Sequence, residues 1–235
     1  MWFYNPFFID YWYLILVVPA LLVSLWAQIK VKSTYARYSN QRVSNGMTGS
    51  DVARYIQQVN GIHTDIQSVA GELSDHYDPR ANVIRLSQGV YDRSSVSAVG
   101  IAAHETGHAL QHAADYGPVK LRTAMVPVTN FASGLSPILI LLGILMSMDV
   151  LAYVGIALFS MATLFQLVTL PVEFNASYRA VAALEGSGQF TEEELKGVKK
   201  VLTAAALTYV AALLVSLMTL LRLILIAGGN DRRRR

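Results

Sequence analysis

Three of the five histidines lie within nine positions of one short stretch, "AAHETGHALQHA", residues 102–113. Its first part reads H-E-x-x-H. His104 and His108 are four residues apart, so on a helix both imidazoles lie on one face, one turn apart. Imidazoles placed in this way can reach one metal ion at about 2.0–2.1 Å. Glu105 follows the first histidine and can meet a metal-activated water, an arrangement typical of zinc proteases.

The stretch around this motif ("VGIAAHETGHALQHA") is apolar and rich in alanine. Burying two histidines and a glutamate there without compensating partners costs free energy. Gly107 costs a further ~1 kcal/mol relative to alanine inside a helix, and the close approach of another backbone or of substrate would explain it. The pattern therefore favours a metal site over a polar cluster that serves structure alone.

A catalytic zinc site needs a third protein ligand and an open fourth position. The chain has no cysteine, so the ligand must be His, Asp or Glu. The candidates are His63, His76, His112 and Glu173. His112 lies roughly 12 Å along the helix axis from His104, too far to share its ion. Glu173 directly follows a long apolar run, where an acid without a partner is costly, and a membrane hairpin returns it towards the histidines. The sequence favours Glu173.

The composition is that of a membrane protein. Hydrophobic residues make up 53% of the 235 residues, charged residues only 15%, and the net charge is +3. This is more apolar and less charged than an ordinary soluble domain. Four of the positive charges form the terminal run Arg232 to Arg235, and the rest of the chain offers no basic face for nucleic acid.

The chain divides into six predicted segments. They are 1–30, an N-terminal transmembrane helix; 31–125, a catalytic domain; 126–172, a transmembrane hairpin; 173–200, the third-ligand helix and a polar connection; 201–227, a C-terminal membrane helix; and 228–235, a basic tail. Within the second segment we expect a short helix capped by Thr48 or Ser50, strands that include "NVIRLS", and the H-E-x-x-H helix, capped near Ser94 or Ser95 and ending near Gly117.

The first apolar segment, residues 11–29, has no charge and is long enough to cross a bilayer. Aromatic residues, Trp2 and Tyr4 among them, cluster at its start as in an interfacial belt, and four basic residues follow between positions 30 and 42. The charge bias predicts an outside N-terminus and a cytoplasmic second segment. A fourth full crossing would then leave the terminal arginines outside, against that bias.

Four stretches carry a resemblance to a known family: "LSDHYDPRANVIRLS", "SVSAVGIAAHETGHALQHA", "TLFQLVTLPVEFNASYRA" and "KKVLTAAALTYVAALL". Together they extend over most of residues 40–225. The chain resembles the YugP-type membrane zinc metallopeptidases of bacteria, which are similar in turn to the HtpX and CAAX prenyl protease families. The resemblance implies a mainly α membrane protein with a small α+β zincin-like domain. It implies Zn²⁺ held by His104, His108 and Glu173, with Glu105 as the base.

One position departs from the wider pattern. Those relatives often have Asp four residues after the ligand Glu, where it orients a ligand histidine. Here the position is Ser177, which can form only a weaker hydrogen bond, and Asn175 is expected to face elsewhere. An oxyanion stabiliser is also expected. Its candidates are Arg179, His76, Tyr77 and Tyr178. Arg179 is as well explained by a salt bridge or a lipid headgroup contact.

We therefore expect a membrane-embedded zinc endopeptidase in a bacterial inner membrane, with its site at the cytoplasmic face. Its partners would be the lipid bilayer and protein or peptide substrates, in particular membrane proteins or their membrane-proximal parts. The alternative is a zinc-binding membrane scaffold without hydrolytic activity, which would have no need of Glu105. A transporter is disfavoured, because Arg222 is nearly alone among the charges of the apolar segments.

Overall fold

The computed structural model describes residues 10–72 and 74–234, with side chains described up to residue 227. The predictions that concern Trp2, Tyr4 and the side chains of the terminal arginines lie outside these residues. The described chain is mainly helical with one small sheet, as expected. A π-helical turn, Tyr13–Val17, precedes the first α-helix. The helices are α1 (Val18–Ser39), α2 (Gly49–Asn60), α3 (Gln88–Tyr91), α4 (Val96–Ala113), α5 (Gly117–Leu145), α6 (Asp149–Ser187) and α7 (Glu192–Arg234). The strands are β1 (Asp65–Val69), β2 (His76–Asp78) and β3 (Val83–Ser87).

Within the described residues, four helical segments are long and apolar enough to cross a membrane. They are Tyr13–Ser39, Gly117–Leu145, Asp149–Ser187 and Glu192–Ala227. The second of these segments begins at Gly117, whereas the sequence predicted a hairpin that begins at residue 126. Pro118 is compatible with this start, because proline is tolerated in the first turn of a helix, where its missing N–H costs no hydrogen bond. The preceding helix α4 ends at Ala113, before the predicted Gly117, and Asp115 follows with φ +54°.

The chain folds into two compact units. One unit comprises Gln28–Lys120 and Pro171–Leu207 and contains the whole sheet. The strand order is β1-β3-β2, with β1 parallel and β2 antiparallel to the central strand. Its helix starts are fixed by side chains: Thr48 and Asp51 form a capping box on α2, and Ser95 caps α4 by accepting from Ala98 N.

Helix α4 lies in the middle of this unit and is buried on two sides. Val96, Val99 and Ala103 belong to a core with α2 and the ends of α6 and α7. Ala98, Ala102 and Ala109 pack with β3 and α3 in a second core. This double burial explains the alanine-rich sequence, since small side chains let neighbouring elements approach both faces closely. It also holds the H-E-x-x-H residues on a rigid element.

The other unit comprises Met1–Ala27, Leu121–Leu170 and Thr208–Arg235. Small residues bring α5 and α6 together: a Cβ on Gly143 would lie 2.5 Å from Ala152 N. Ser136 donates a hydrogen bond to Gly155 O at 2.9 Å. Arg222 Nε donates to Asp10 Oδ2 at 2.8 Å, and both side chains are largely buried. The charge noted in the last apolar segment thus has a carboxylate partner.

Candidate metal centre

His104, His108 and Glu173 meet at one point between α4 and α6. His104 Nε2 is 3.4 Å and His108 Nε2 is 3.6 Å from Glu173 Oε2. Glu173 is 3% exposed, and both imidazoles are largely buried. Within the described part of the chain, this is the one set of three His, Asp or Glu residues whose ligand atoms lie close enough together for a metal ion. The structure thus brings the three predicted ligands together.

Gly107 allows α6 to come this close. A Cβ at residue 107 would lie 2.5 Å from Ala176 O and 3.2 Å from Ala176 C. Contacts under 3.0 Å are essentially never seen for real Cβ atoms, so any larger residue would push the two helices apart. Ala176 is one turn from Glu173 on α6. The glycine that is costly for the helix is therefore the residue that lets the third ligand reach the histidines.

The distances from each histidine nitrogen to the Glu173 oxygen suit a zinc ion. Two ligands that bind a tetrahedral ion at 2.0–2.1 Å are separated from each other by about 3.3–3.4 Å. The observed 3.4 and 3.6 Å are close to that value and longer than the usual range for N–H···O hydrogen bonds. Two imidazoles and a carboxylate are also a donor set that zinc commonly takes in catalytic sites.

The charge environment of the site favours a cation. Burial lowers the pKa of His108, but the neighbouring carboxylates of Glu173 and Glu105 outweigh burial, and the pKa is raised above its ordinary value. The same negative surroundings would stabilise a metal ion, which competes with the proton for the imidazole nitrogen.

Each ligand imidazole is oriented through its second nitrogen. When Nε2 binds a metal ion, Nδ1 would carry the ring proton and donate it to a neighbouring acceptor. His104 Nδ1 lies 3.1 Å from Ser177 Oγ, and His108 Nδ1 lies 3.0 Å from Gln111 Oε1. Ser177 thus has the contact suggested for it, although a hydroxyl is a weaker partner than a carboxylate. Gln111 was missed, although its position three residues after His108 places it on the same helix face.

Gln111 connects the site to the backbone of α6. Its amide Nε2 donates to Val172 O at 2.7 Å and to Asn175 Oδ1 at 3.0 Å, and its side chain is fully buried. Asn175, through this hydrogen bond, takes part in the site by way of Gln111. Because the amide has both donors and its acceptor engaged, it has one orientation. It therefore holds the ring of His108 at a fixed angle.

Glu105 is held by an edge strand. Its Oε2 accepts a hydrogen bond from the backbone N–H of Tyr77 in β2, at 3.0 Å. The ring of Tyr77 packs edge-on against His112, with ring centroids 6.0 Å apart. His112 is outside the set of three residues that meet at the site, and its ring packs against the strand that positions Glu105. No residue pattern signals this contact, because its donor is a main-chain group.

Arg179 and His76, two of the four candidates for oxyanion stabilisation, have other contacts. Arg179 Nε donates to Asn175 Oδ1 at 2.9 Å, and the guanidinium lies over the ring of Tyr116. His76 is exposed, with Nδ1 2.8 Å from Ser74 O and Nε2 3.3 Å from Arg85 Nη1. Neither contact joins these side chains to the three ligands, and an oxyanion role for either stays a prediction.

The chain is similar to known proteins over most of its length. Residues 13–228 match the model of a family described as "Putative neutral zinc metallopeptidase". The chain is 51% identical over 221 residues to "Putative membrane protease YugP" of Bacillus subtilis strain 168, covering 93% of this chain and 98% of that protein. No solved structure matches significantly.

Proposed function

The chain belongs to the family described as putative neutral zinc metallopeptidases, and we propose that it is a membrane-embedded zinc endopeptidase. The observation that carries the proposal is the convergence of His104, His108 and Glu173, with Glu105 on the same helix as the histidines. A site built only to bind metal has no need of a carboxylate at the position of Glu105. The non-hydrolytic scaffold is therefore the weaker reading.

In the proposed reaction, His104, His108 and Glu173 would hold the zinc ion. The ion would supply Lewis acidity, which polarises a peptide carbonyl and acidifies water. Glu105 accepts a proton from the attacking water and returns it to the leaving nitrogen, so the peptide bond gives one carboxylate and one amine. The hydrogen bond from Tyr77 N fixes Glu105 Oε2 and leaves the other carboxylate oxygen for this proton transfer.

We further propose a multi-pass protein of a bacterial cell membrane with its site facing the cytoplasm. The four long apolar helices support multiple crossings. The basic residues between positions 30 and 42, directly after the first helix, favour a cytoplasmic location for the segment that follows. A full crossing by α7 then leaves the terminal arginines outside. This is tolerable because the first helix usually dominates orientation.

The experiment compares purified wild type with Glu105→Gln in detergent. Zinc per chain is measured by elemental analysis, and cleavage is measured on casein. We expect both proteins to hold one zinc and Glu105→Gln to lose cleavage by at least 100-fold. His63→Ala is the matched control, because His63 is exposed and outside the set of ligands. Equal cleavage by wild type and Glu105→Gln would contradict the proposal, and zinc without cleavage in the wild type would favour a scaffold.

A further inference from the structure

The outward side of α6 stays apolar past the proposed metal ligand. Pro171, Phe174 and Tyr178 are three and four residues apart, so they lie on one side of the helix. All three are exposed, Phe174 by 48% and Tyr178 by 72%. The opposite side of the same turns carries the buried residues Val172, Ala176 and Ala180. The turns that present Glu173 to the histidines thus expose aromatic side chains on their other side.

Polar residues return on this side only after Tyr178. The next exposed positions are Ala182 and Glu185, and Glu185 Oε1 accepts from Lys199 Nζ at 2.6 Å. Both members of this ion pair are about half exposed, as is usual for a pair in water. The change from an apolar to a charged surface therefore falls between residues 178 and 185, about two turns beyond Glu173.

The length of α6 agrees with this boundary. A bilayer has a hydrocarbon core of about 30 Å and measures about 40–45 Å with its headgroup layers. The sequence between Asp149 and Glu173 has 23 uncharged residues, 150–172, which as a helix span about 35 Å, and Tyr178 follows five residues after Glu173. If the helix enters the bilayer near Asp149, both residues fall in the second headgroup layer. Tyrosine is one of the residue types enriched at that depth.

We propose that the outer face of α6 formed by Pro171, Phe174 and Tyr178 contacts the lipid headgroup layer, so that the metal centre lies at headgroup depth. The substrate class follows, and this step rests on the proposed function. The scissile peptide bond lies within or just outside the headgroup layer, in a segment adjoining a transmembrane helix of the substrate. A soluble protein reaches the site only by bringing an extended segment down to the membrane surface.

The absence of cysteine from the chain makes the lipid contact directly measurable. Single variants Phe174→Cys and Tyr178→Cys receive a nitroxide spin label in the full-length protein, reconstituted into vesicles of phosphatidylethanolamine and phosphatidylglycerol. Collision with oxygen, which concentrates in lipid, is compared with collision with a water-soluble nickel chelate. Gly186→Cys is the matched control, since it is exposed on the same helix beyond the Glu185–Lys199 pair. The zinc content and circular dichroism spectrum of each labelled chain are compared with those of the wild type to check that it is folded.

The measured quantity is the ratio of oxygen collisions to nickel-chelate collisions. We expect this ratio to be at least several-fold higher for the label at 174 than for the label at 186, with an intermediate ratio at 178. Equal nickel accessibility at 174 and 186 would overturn the proposal. A label at 174 shielded from both reagents would also overturn it, because another protein chain would then cover this face. Neither result depends on catalysis, so the measurement stands even if the proposed function fails.

The substrate class is tested with one membrane-anchored peptide sequence. Its cleavable segment is placed about 5 or about 25 residues from a transmembrane anchor. We expect at least ten-fold faster cleavage of the near version in vesicles and equal cleavage of both in detergent, where no bilayer surface sets the distance between segment and site. Equal rates in vesicles would overturn the substrate class. If neither peptide is cleaved in vesicles or in detergent, the result counts against the proposed function. The spin-label measurement alone then decides the lipid contact.

Discussion

The contact between Gly107 and Ala176 gives a sharp test of how the site is assembled. In Gly107→Ala the new Cβ would lie 2.5 Å from Ala176 O, whereas ordinary contacts begin near 3.4 Å. Both atoms belong to rigid helices, so α6 must move away from α4 by about 1 Å, and Glu173 moves with it. Zinc ligands tolerate deviations of about 0.2 Å, so this displacement is several times too large.

The expected result is a loss of metal affinity with little change in stability. Alanine gains ~1 kcal/mol over glycine in helix propensity, and overpacking costs about 1–3 kcal/mol, so the net change in the free energy of unfolding is about 0–2 kcal/mol. Zinc affinity should fall about 10–100-fold, and a ligand misplaced by 1 Å should lower kcat/KM by about 100-fold.

The assay titrates zinc into chelator-treated protein with a competing fluorescent chelator, and a thermal melt without zinc follows stability. Gly186→Ala is the matched control on α6, because a Cβ there meets nothing within 4 Å and the residue is helical. It should bind zinc as the wild type does and melt at the same temperature or slightly higher. If Gly107→Ala binds zinc with wild-type affinity, the close approach of α4 and α6 at this glycine is not required for the metal site.

Three further outcomes are expected. Gln111→Leu removes the partner of the His108 ring and should weaken zinc binding about 10–100-fold in the same titration, whereas wild-type affinity would show that the amide does not orient the ligand. Asp10→Ala and Arg222→Ala should each lower the free energy of unfolding in detergent by about 3–5 kcal/mol, and the double variant by clearly less than their sum; strict additivity would contradict the pair. Burial raises the pKa of Asp75, so the folded protein disfavours the ionised carboxylate. The free energy of unfolding should therefore fall as pH rises from the ordinary pKa of 3.8 through the raised pKa. Asp75→Asn should lack that pH dependence when the free energy of unfolding is measured by chemical denaturation. An unchanged pH profile would show that Asp75 is not its source.

Much of the site could be predicted because its residues follow helical spacing. His104 and His108 are fixed relative to each other by one turn of helix, and the apolar run before Glu173 marks a carboxylate that needs a partner. The helix caps at Thr48 and Ser95 could likewise be predicted, because their side chains accept hydrogen bonds from backbone N–H groups two or three residues away.

The remaining features depend on contacts between segments far apart in sequence. Nothing near Gly107 in the chain indicates that its neighbour is Ala176, and a backbone donor such as Tyr77 N leaves no trace in residue type. Asp10 and Arg222 are 212 residues apart, so their pairing is visible only once the helices have packed. Spacing thus predicts which side chains share a face, and only the fold determines which face meets which.

The central claim is that two imidazoles and one carboxylate hold the metal. X-ray absorption at the zinc edge of the purified, zinc-loaded protein tests it most directly. The account predicts two imidazole nitrogens and a carboxylate oxygen at about 2.0–2.1 Å, with the carboxylate contribution absent from Glu173→Ala. Three imidazoles around the zinc, or an unchanged spectrum in Glu173→Ala, would contradict it.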